Sequence, residues 1–196
     1  MLIGLTGQIG AGKTTVATIL RDLGAVIVDA DRIGRDVLAH NPTVKRALVR
    51  AFGSQVIDKR GWINRRAVAA AAFADESSRR KLNQIVHPHL LNELHRQVKG
   101  RGKGGRTIVI DAALLLEWKL NRTVDAVIAV RAPAATRLNR MVARGFERAD
   151  IRRRMNLQLR WPEYRRRADV VITNNGNRAG LRRQVVAVWN RLHHHQ

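Results

Sequence analysis

The sequence predicts an α/β protein in which a parallel sheet carries helices on both faces. Short apolar runs recur at 2–5, 25–29, 107–111, 125–130 and 168–173, and each is apolar on both of its faces. Strands of that kind belong to parallel sheets covered from both sides. Between the runs lie segments with apolar residues at helical spacing. The first strand-to-helix junction is rich in glycine.

That junction organises the chain. After Leu2–Leu5 come Gly7, Gly10 and Gly12, and then Val16, Ile19, Leu20 and Leu23 at i, i+3, i+4 and i+7, one face of a helix. Gly7, Gly12, Lys13 and Thr14 fill the pattern G-x-x-x-x-G-K-[ST]. Glycine at positive φ lets successive N–H groups turn inward around a phosphate. Lys13 is placed to reach β- and γ-phosphates, the Thr14 hydroxyl to ligate Mg²⁺, and the helix N-terminus adds its dipole. A strand before and an amphipathic helix after distinguish this stretch from a chance match. It predicts a nucleoside-triphosphate site.

Gly24 ends the first helix, and 25–29 reads as a second strand finishing in Asp29-Ala-Asp31. Ligands of parallel sheets bind at the carboxyl ends of strands, so these carboxylates are expected at the crevice, one as a helix cap and Asp31 as the working group. Residues 32–99 look helical throughout, too long for a plain crossover, and predict a substrate-binding insertion. Within it Pro88 is expected to kink or end a helix after His87. His87 is either structural or functional, and Arg65-Arg66 either hold an anion or are solvated. Lys99–Arg106 reads as a mobile basic loop.

The run 107–111 ends in Asp111, the strand-then-aspartate arrangement that holds Mg²⁺ beside a phosphate loop. Glu117, six residues on, is either a substrate contact or a surface carboxylate. Arg137, Arg140 and Arg144 line one face of the next helix. A second arginine-rich helix is expected over about 149–160, ended by Trp161-Pro162. Joined at Gly145, the two resemble a lid that closes cations over a nucleotide, which is what phosphoryl transfer demands. The last strand runs into an expected tight turn at Asn174-Asn175-Gly176; the two amides suit an adenine edge and are equally ordinary turn residues. Leu181, Val185, Val188 and Leu192 give the final helix a face for the sheet. His193–His195 read as a frayed end.

Charge is the abnormal quantity. The formal net charge is +22, and between Arg131 and Arg167 arginine greatly outnumbers Glu147, Asp150 and Glu163. Such a chain favours polyanions. With aromatics at 4%, no stacking platform for nucleic acid is evident, so no specific nucleic-acid partner is expected. The longest uncharged apolar run, Ala67–Ala74, is far short of a membrane span, and no membrane partner is expected. The absence of cysteine fits a cytoplasmic location.

Taken together, Leu5–Thr15, Val28-Asp-Ala-Asp31, Arg66, His87-Pro88, Leu114-Leu-Leu-Glu117, the Arg140/Arg144 pair, Gln158 and Ala168–Gly176 resemble the dephospho-coenzyme A kinases, over residues 2 to about 190. The resemblance implies a three-layer P-loop kinase fold with a helical substrate-binding insertion and an arginine-rich lid. In one domain, 1–31, 107–139 and 168–196 would form the nucleotide core, about 32–106 the acceptor-binding insertion and about 140–167 the lid. It implies ATP as donor, Mg²⁺ as metal, dephospho-coenzyme A as acceptor, and a monomer or weak homo-oligomer.

Residue by residue, it implies that Gly10, Ala11, Gly12, Lys13, Thr14 and Thr15 cradle phosphate, with Thr14 and Asp111 on the metal. Lys13, Asp31 and Arg140 would be catalytic, with Asp31 taking or orienting the proton of the acceptor hydroxyl. Arg144 would clamp phosphate, and Asn174 or Asn175 would lie by adenine. Arg66, His87, Leu115 and Glu117 would lie along the acceptor. Three positions depart from the usual pattern: Gln8 replaces a glycine, Ala113 a proline and Gly145 an aspartate. A different small P-loop kinase for nucleosides or nucleotides, or a basic nucleic-acid-binding ATPase, are the alternatives.

Overall fold

The structure is a computed structural model and describes residues 1–72, 74–102 and 105–194. Along the chain come β1 (Leu2–Gly7), α1 (Lys13–Asp22), β2 (Val26–Asp29), α2 (Ala30–His40), α3 (Pro42–Phe52), α4 (Arg65–Ala72) and α5 (Glu76–Arg101). They are followed by β3 (Ile108–Asp111), β4 (Ala126–Arg131), α6 (Ala134–Val142), α7 (Arg148–Leu157), α8 (Trp161–Arg167), β5 (Val170–Thr173) and α9 (Arg178–His194). The chain divides into two compact units, Met1–Asp29 with Arg101–Gln196, and Ala30–Gly100.

The first unit is the α/β part. Its five strands are all parallel in the order β2-β3-β1-β4-β5. β1 is central, and the order reverses around it, which places the ligand crevice at its carboxyl end. Ile3, Leu5, Val109, Ile128, Val130 and Ile172 are buried in one cluster with Val16, Ile19 and Leu20 of α1 and Leu181 and Val185 of α9. Val188 and Leu192 pack against the same cluster, as the helical spacing predicts. Two aspartates close strand starts: Asp125 Oδ2 accepts from Leu2 N–H at 2.7 Å, and Asp169 Oδ2 from Val127 N–H at 2.7 Å.

The second unit is the helical part, α2 to α5, with a short 3₁₀ turn at Ser54–Val56 and one antiparallel bridge between Ile57 and Ile63. Asn41 caps α3, its Oδ1 accepting from Thr43 and Val44 N–H. Ala30, Ile33, Val37, Val44, Leu48, Val56, Val68, Ala72, Leu90 and Leu94 are buried apolar residues of this unit.

Several expectations are corrected. Of the kink or end expected at Pro88, the end does not occur, because α5 runs through it from Glu76 to Arg101. A proline in a helix removes its own N–H and crowds the carbonyl four residues earlier, yet the helix continues on either side. Lys99–Arg101 belong to α5 instead of a loop, while Lys103 and Gly104 of that expected loop lie outside the described residues. Trp161-Pro162 begins α8, Pro162 standing in the first turn where its missing N–H costs nothing. Asn174–Gly176 forms no tight turn; Asn174 N–H donates to Arg131 O at 2.7 Å, and Asn177 Oδ1 accepts from Gly180 N–H in the first turn of α9. His193 is no frayed end, since its Nε2 meets Thr107 Oγ1 at 2.8 Å and its ring lies 4.0 Å from that of Trp189. His195 lies outside the described residues.

Candidate functional site

The site in the first unit grows from the turn between β1 and α1. Gly10 and Gly12 have φ of 76° and 96°, and neither has room for a side chain. A Cβ on Gly10 would stand 2.6 Å from the Arg137 carbonyl oxygen, and one on Gly12 would stand 2.0 Å from Asn174 Nδ2. The glycines are thus required twice, by backbone conformation and by close approach. Thr15 and Val16 N–H groups already donate to Gly12 O as α1 begins.

Side chains from outside hold the turn. Arg140 Nη1 donates to Gly10 O at 3.4 Å and Ala11 O at 3.3 Å, and its Nη2 to Asn174 O at 3.1 Å. Asn174, buried, returns Nδ2 to Ala11 O at 2.8 Å. Lys13 Nζ is ion-paired with Asp111 Oδ1. Asp111 ends β3, where it stands in register with Asp29 at the end of β2. The carboxylate ends of these strands and the phosphate-type turn therefore share one edge of the sheet.

A cleft of about 610 Å³ opens on this turn, lined among others by Gly10, Gly12, Thr14, Thr15, Arg140 and Arg144. Thr14 is exposed at the start of α1, and Asn174 lines the same cleft while the exposed Asn175 does not. The arginine-rich stretch divides its labour. Arg153 and Arg154 pair with Asp150, and Arg166 and Arg167 with Glu163, all within their own helices. Arg140 and Arg144 are the cations that reach the cleft from α6 and its end.

The other expected residues fall elsewhere. Leu115 is wholly buried, its Cδ1 2.9 Å from where a Cβ on Gly4 would stand, so it is a packing residue against β1. Glu117 is exposed in the turns that follow β3. Asp31, Arg66 and His87 belong to the second unit: Asp31 in the first turn of α2, Arg66 exposed on α4, and His87 on α5 with a buried Nε2 that has no hydrogen-bond partner.

An oxygen donor set of one hydroxyl and one carboxylate, Thr14 and Asp111, suits a hard cation that keeps water and phosphate as its remaining ligands, as Mg²⁺ does. No group of three or more His, Cys, Asp or Glu side chains forms a metal cage among the described residues. The arrangement can bind a triphosphate by backbone N–H groups, screen it with Lys13 and two arginines, and hold a divalent ion at its edge.

A family model described as dephospho-CoA kinase matches residues 1–180. The chain belongs to the dephospho-CoA kinase family. A dephospho-CoA kinase of Moorella thermoacetica is 40% identical over 99% of this chain and 93% of its own. That of Corynebacterium diphtheriae is 38% identical over 97% and 96%. A crystal structure of a Thermus thermophilus protein superposes with a TM-score of 0.85 at 30% identity, covering 98% of this chain and 97% of that one. The α/β sheet with its phosphate-type turn is therefore the P-loop kinase fold of this family.

Three residues outside the expected set of site residues touch the turn. Arg137, placed on the lid face by its spacing, is 7% exposed and donates from Nη1 to Ile9 O at 3.4 Å. Gln158 Oε1 accepts from Ile9 N–H at 2.9 Å, and Gln8 Nε2 donates to Leu159 O at 3.1 Å. Local spacing carries no signal for contacts across some 150 residues of chain. Nor does it say which arginine of a stripe turns inward.

Proposed function

We propose that the protein transfers the γ-phosphoryl group of ATP to the ribose 3′-hydroxyl of dephospho-coenzyme A, giving coenzyme A and ADP in the cytoplasm. The observation that carries this is a glycine-rich turn that opens on a cleft lined by Arg140, Arg144 and Arg178 and leads into the ion-paired Lys13, in a chain of this family. A fold of this kind without its own acceptor chemistry would only bind or hydrolyse nucleotide. Here the helical unit is the acceptor side, and the stretch about 140–167 is the lid.

In the reaction the acceptor hydroxyl oxygen bonds to the γ-phosphorus as the bond to the β,γ-bridging oxygen breaks. The hydroxyl proton passes to the Asp31 carboxylate, and the bridging oxygen leaves with ADP. The N–H groups of the turn hold the β-phosphate, and Lys13 with Arg140 and Arg144 neutralises charge spreading over the transferred group. Thr14 and Asp111 would hold Mg²⁺, which would supply neutralisation of charge on the phosphate oxygens. Arg66, His87 and Glu117 orient the acceptor, and an asparagine of the pair Asn174 and Asn175 lies by adenine.

The test is an ADP-release assay with dephospho-coenzyme A beside nucleoside monophosphates and shikimate as acceptors. Stimulation by dephospho-coenzyme A alone, abolished by a chelator, is the expected result. Equal or greater stimulation by another acceptor overturns the assignment.

A further inference from the structure

Three consecutive carbonyls of the phosphate turn are held from outside it. Ile9 O accepts from Arg137, Gly10 O from Arg140, and Ala11 O from Arg140 and Asn174. In a trans peptide the C=O of one residue and the N–H of the next point in opposite directions. Drawing the carbonyls of Ile9 and Ala11 outward therefore turns the N–H groups of Gly10 and Gly12 to the other side of the loop. Ile9 itself is fixed at both polar groups, since Gln158 Oε1 takes its N–H at 2.9 Å while Arg137 takes its C=O.

The elements that supply these contacts rest directly on the turn. The α6 backbone at Arg137 leaves no room for a Cβ on Gly10. The segment between α7 and α8 receives Ile9 through Gln158 and Gln8 through the Leu159 carbonyl. Arg137 is nearly enclosed and its Nε has no hydrogen-bond partner. Burial pushes its guanidinium pKa below the ordinary value, with Tyr164 opposing that shift. A cation kept in such surroundings costs free energy, and the hydrogen bond it makes goes to the loop.

We propose that Gln158, seconded by Arg137, is a positioning residue for the donor loop: it fixes the Ile9 peptide so that the amides that follow are turned toward a triphosphate before one binds. Neither side chain touches the reacting atoms. The inference rests on the reading of this loop as the ATP site. It adds that ATP affinity depends on a carboxamide lying outside the P-loop pattern altogether.

The test compares Gln158→Leu, which removes the acceptor oxygen at similar size, with Gln158→Glu, which keeps one. Loss of one preorganising hydrogen bond should weaken ATP binding by about tenfold in Gln158→Leu. Because that contact serves ground state and transition state alike, ATP KM should rise about tenfold with kcat within about threefold and the acceptor KM unchanged. Gln158→Glu should restore ATP affinity to within about threefold of the starting protein. Should Gln158→Leu fail to fold by circular dichroism, Gln158→Ala takes its place with the same two outcomes. Unchanged ATP affinity in the acceptor-less variant, or equal loss in Gln158→Glu, overturns the proposal. Calorimetry on the unaltered protein separates the two readings. If that protein does not bind ATP, the donor-site reading itself fails; if it binds and the acceptor-less variant binds as well, only the positioning role fails.

Discussion

Tyr164 is fully buried on α8, and its hydroxyl has no hydrogen-bond partner. Burial, then the charge of Glu117, pushes its pKa well above the ordinary 10.0, against the opposing effect of Arg137. Removing an unpartnered buried hydroxyl while keeping the ring stabilises, so Tyr164→Phe should gain about 1 kcal/mol in urea unfolding at neutral pH. The sign of the pH effect follows from linkage. Above the unfolded pKa the unfolded chain loses the tyrosine proton while the folded chain keeps it, so stability falls as pH rises past about 10. Tyr164→Phe should abolish this alkaline loss, and an unchanged slope would show that other groups cause it. At the same scale, Asp31→Asn should lower kcat by roughly a hundred- to ten-thousandfold while leaving ATP affinity intact, since it removes a proton acceptor and no phosphate contact. Full activity in a steady-state assay would reject Asp31 as the base.

Among the elements, α5 departs furthest from its sequence pattern. Its proline sits exposed in mid-helix, where the missing N–H leaves the Gln84 carbonyl without its ladder partner, and the helix still spans Glu76 to Arg101. Packing of Leu90 and Leu94 on the helical unit opposes that cost. Replacing an exposed proline sacrifices no buried surface, so Pro88→Ala should stabilise by about 1 to 3 kcal/mol in thermal or urea denaturation. A loss of stability instead would mean that the backbone conformation Pro88 favours is needed to seat those leucines. At α8 a proline again misleads: Trp161-Pro162, expected to stop one helix, begins the next. The expected stop is instead a start, since Pro162 fits the first turn of a helix, and there Trp161 stacks on the buried Tyr164, ring centroids 6.1 Å apart.

For the whole molecule, a formal charge of +22 sets two opposing responses to salt. Salt weakens the exposed helix pairs such as Arg96 with Glu93, Arg80 with Glu76 and Arg166 with Glu163. It also screens repulsion among the excess cations. Such pairs are water-screened and each contributes little. The repulsion is summed over every cation pair within a Debye length that shrinks from about 30 Å at 10 mM to about 8 Å at 150 mM salt. Screening of repulsion should win, so Tm should rise between those two conditions in a calorimetric scan. A falling Tm would show that the ion pairs outweigh the net charge.

What the sequence determined by itself is whatever depends on near neighbours in the chain. The strand-turn-helix at Leu2–Leu20, the buried strand ending in Asp111 and the apolar face of α9 follow from spacing, because periodicity and glycine conformation act over a few residues. The phosphate site was legible for the same reason, as Gly10 to Thr15 are contiguous. Tertiary structure alone decided what depends on residues far apart in the chain meeting. It turned Arg137 inward while its helical neighbours Arg140 and Arg144 reached the cleft, buried Leu115 against Gly4, tied His193 to Thr107, and brought Gln158 to Ile9. A side chain's partner is chosen by burial and by the need of each enclosed polar group for a counterpart. Neither exists until the chain has folded, so the hold of α6 and of Gln158 and Leu159 on the glycine-rich turn is written only in the packed molecule.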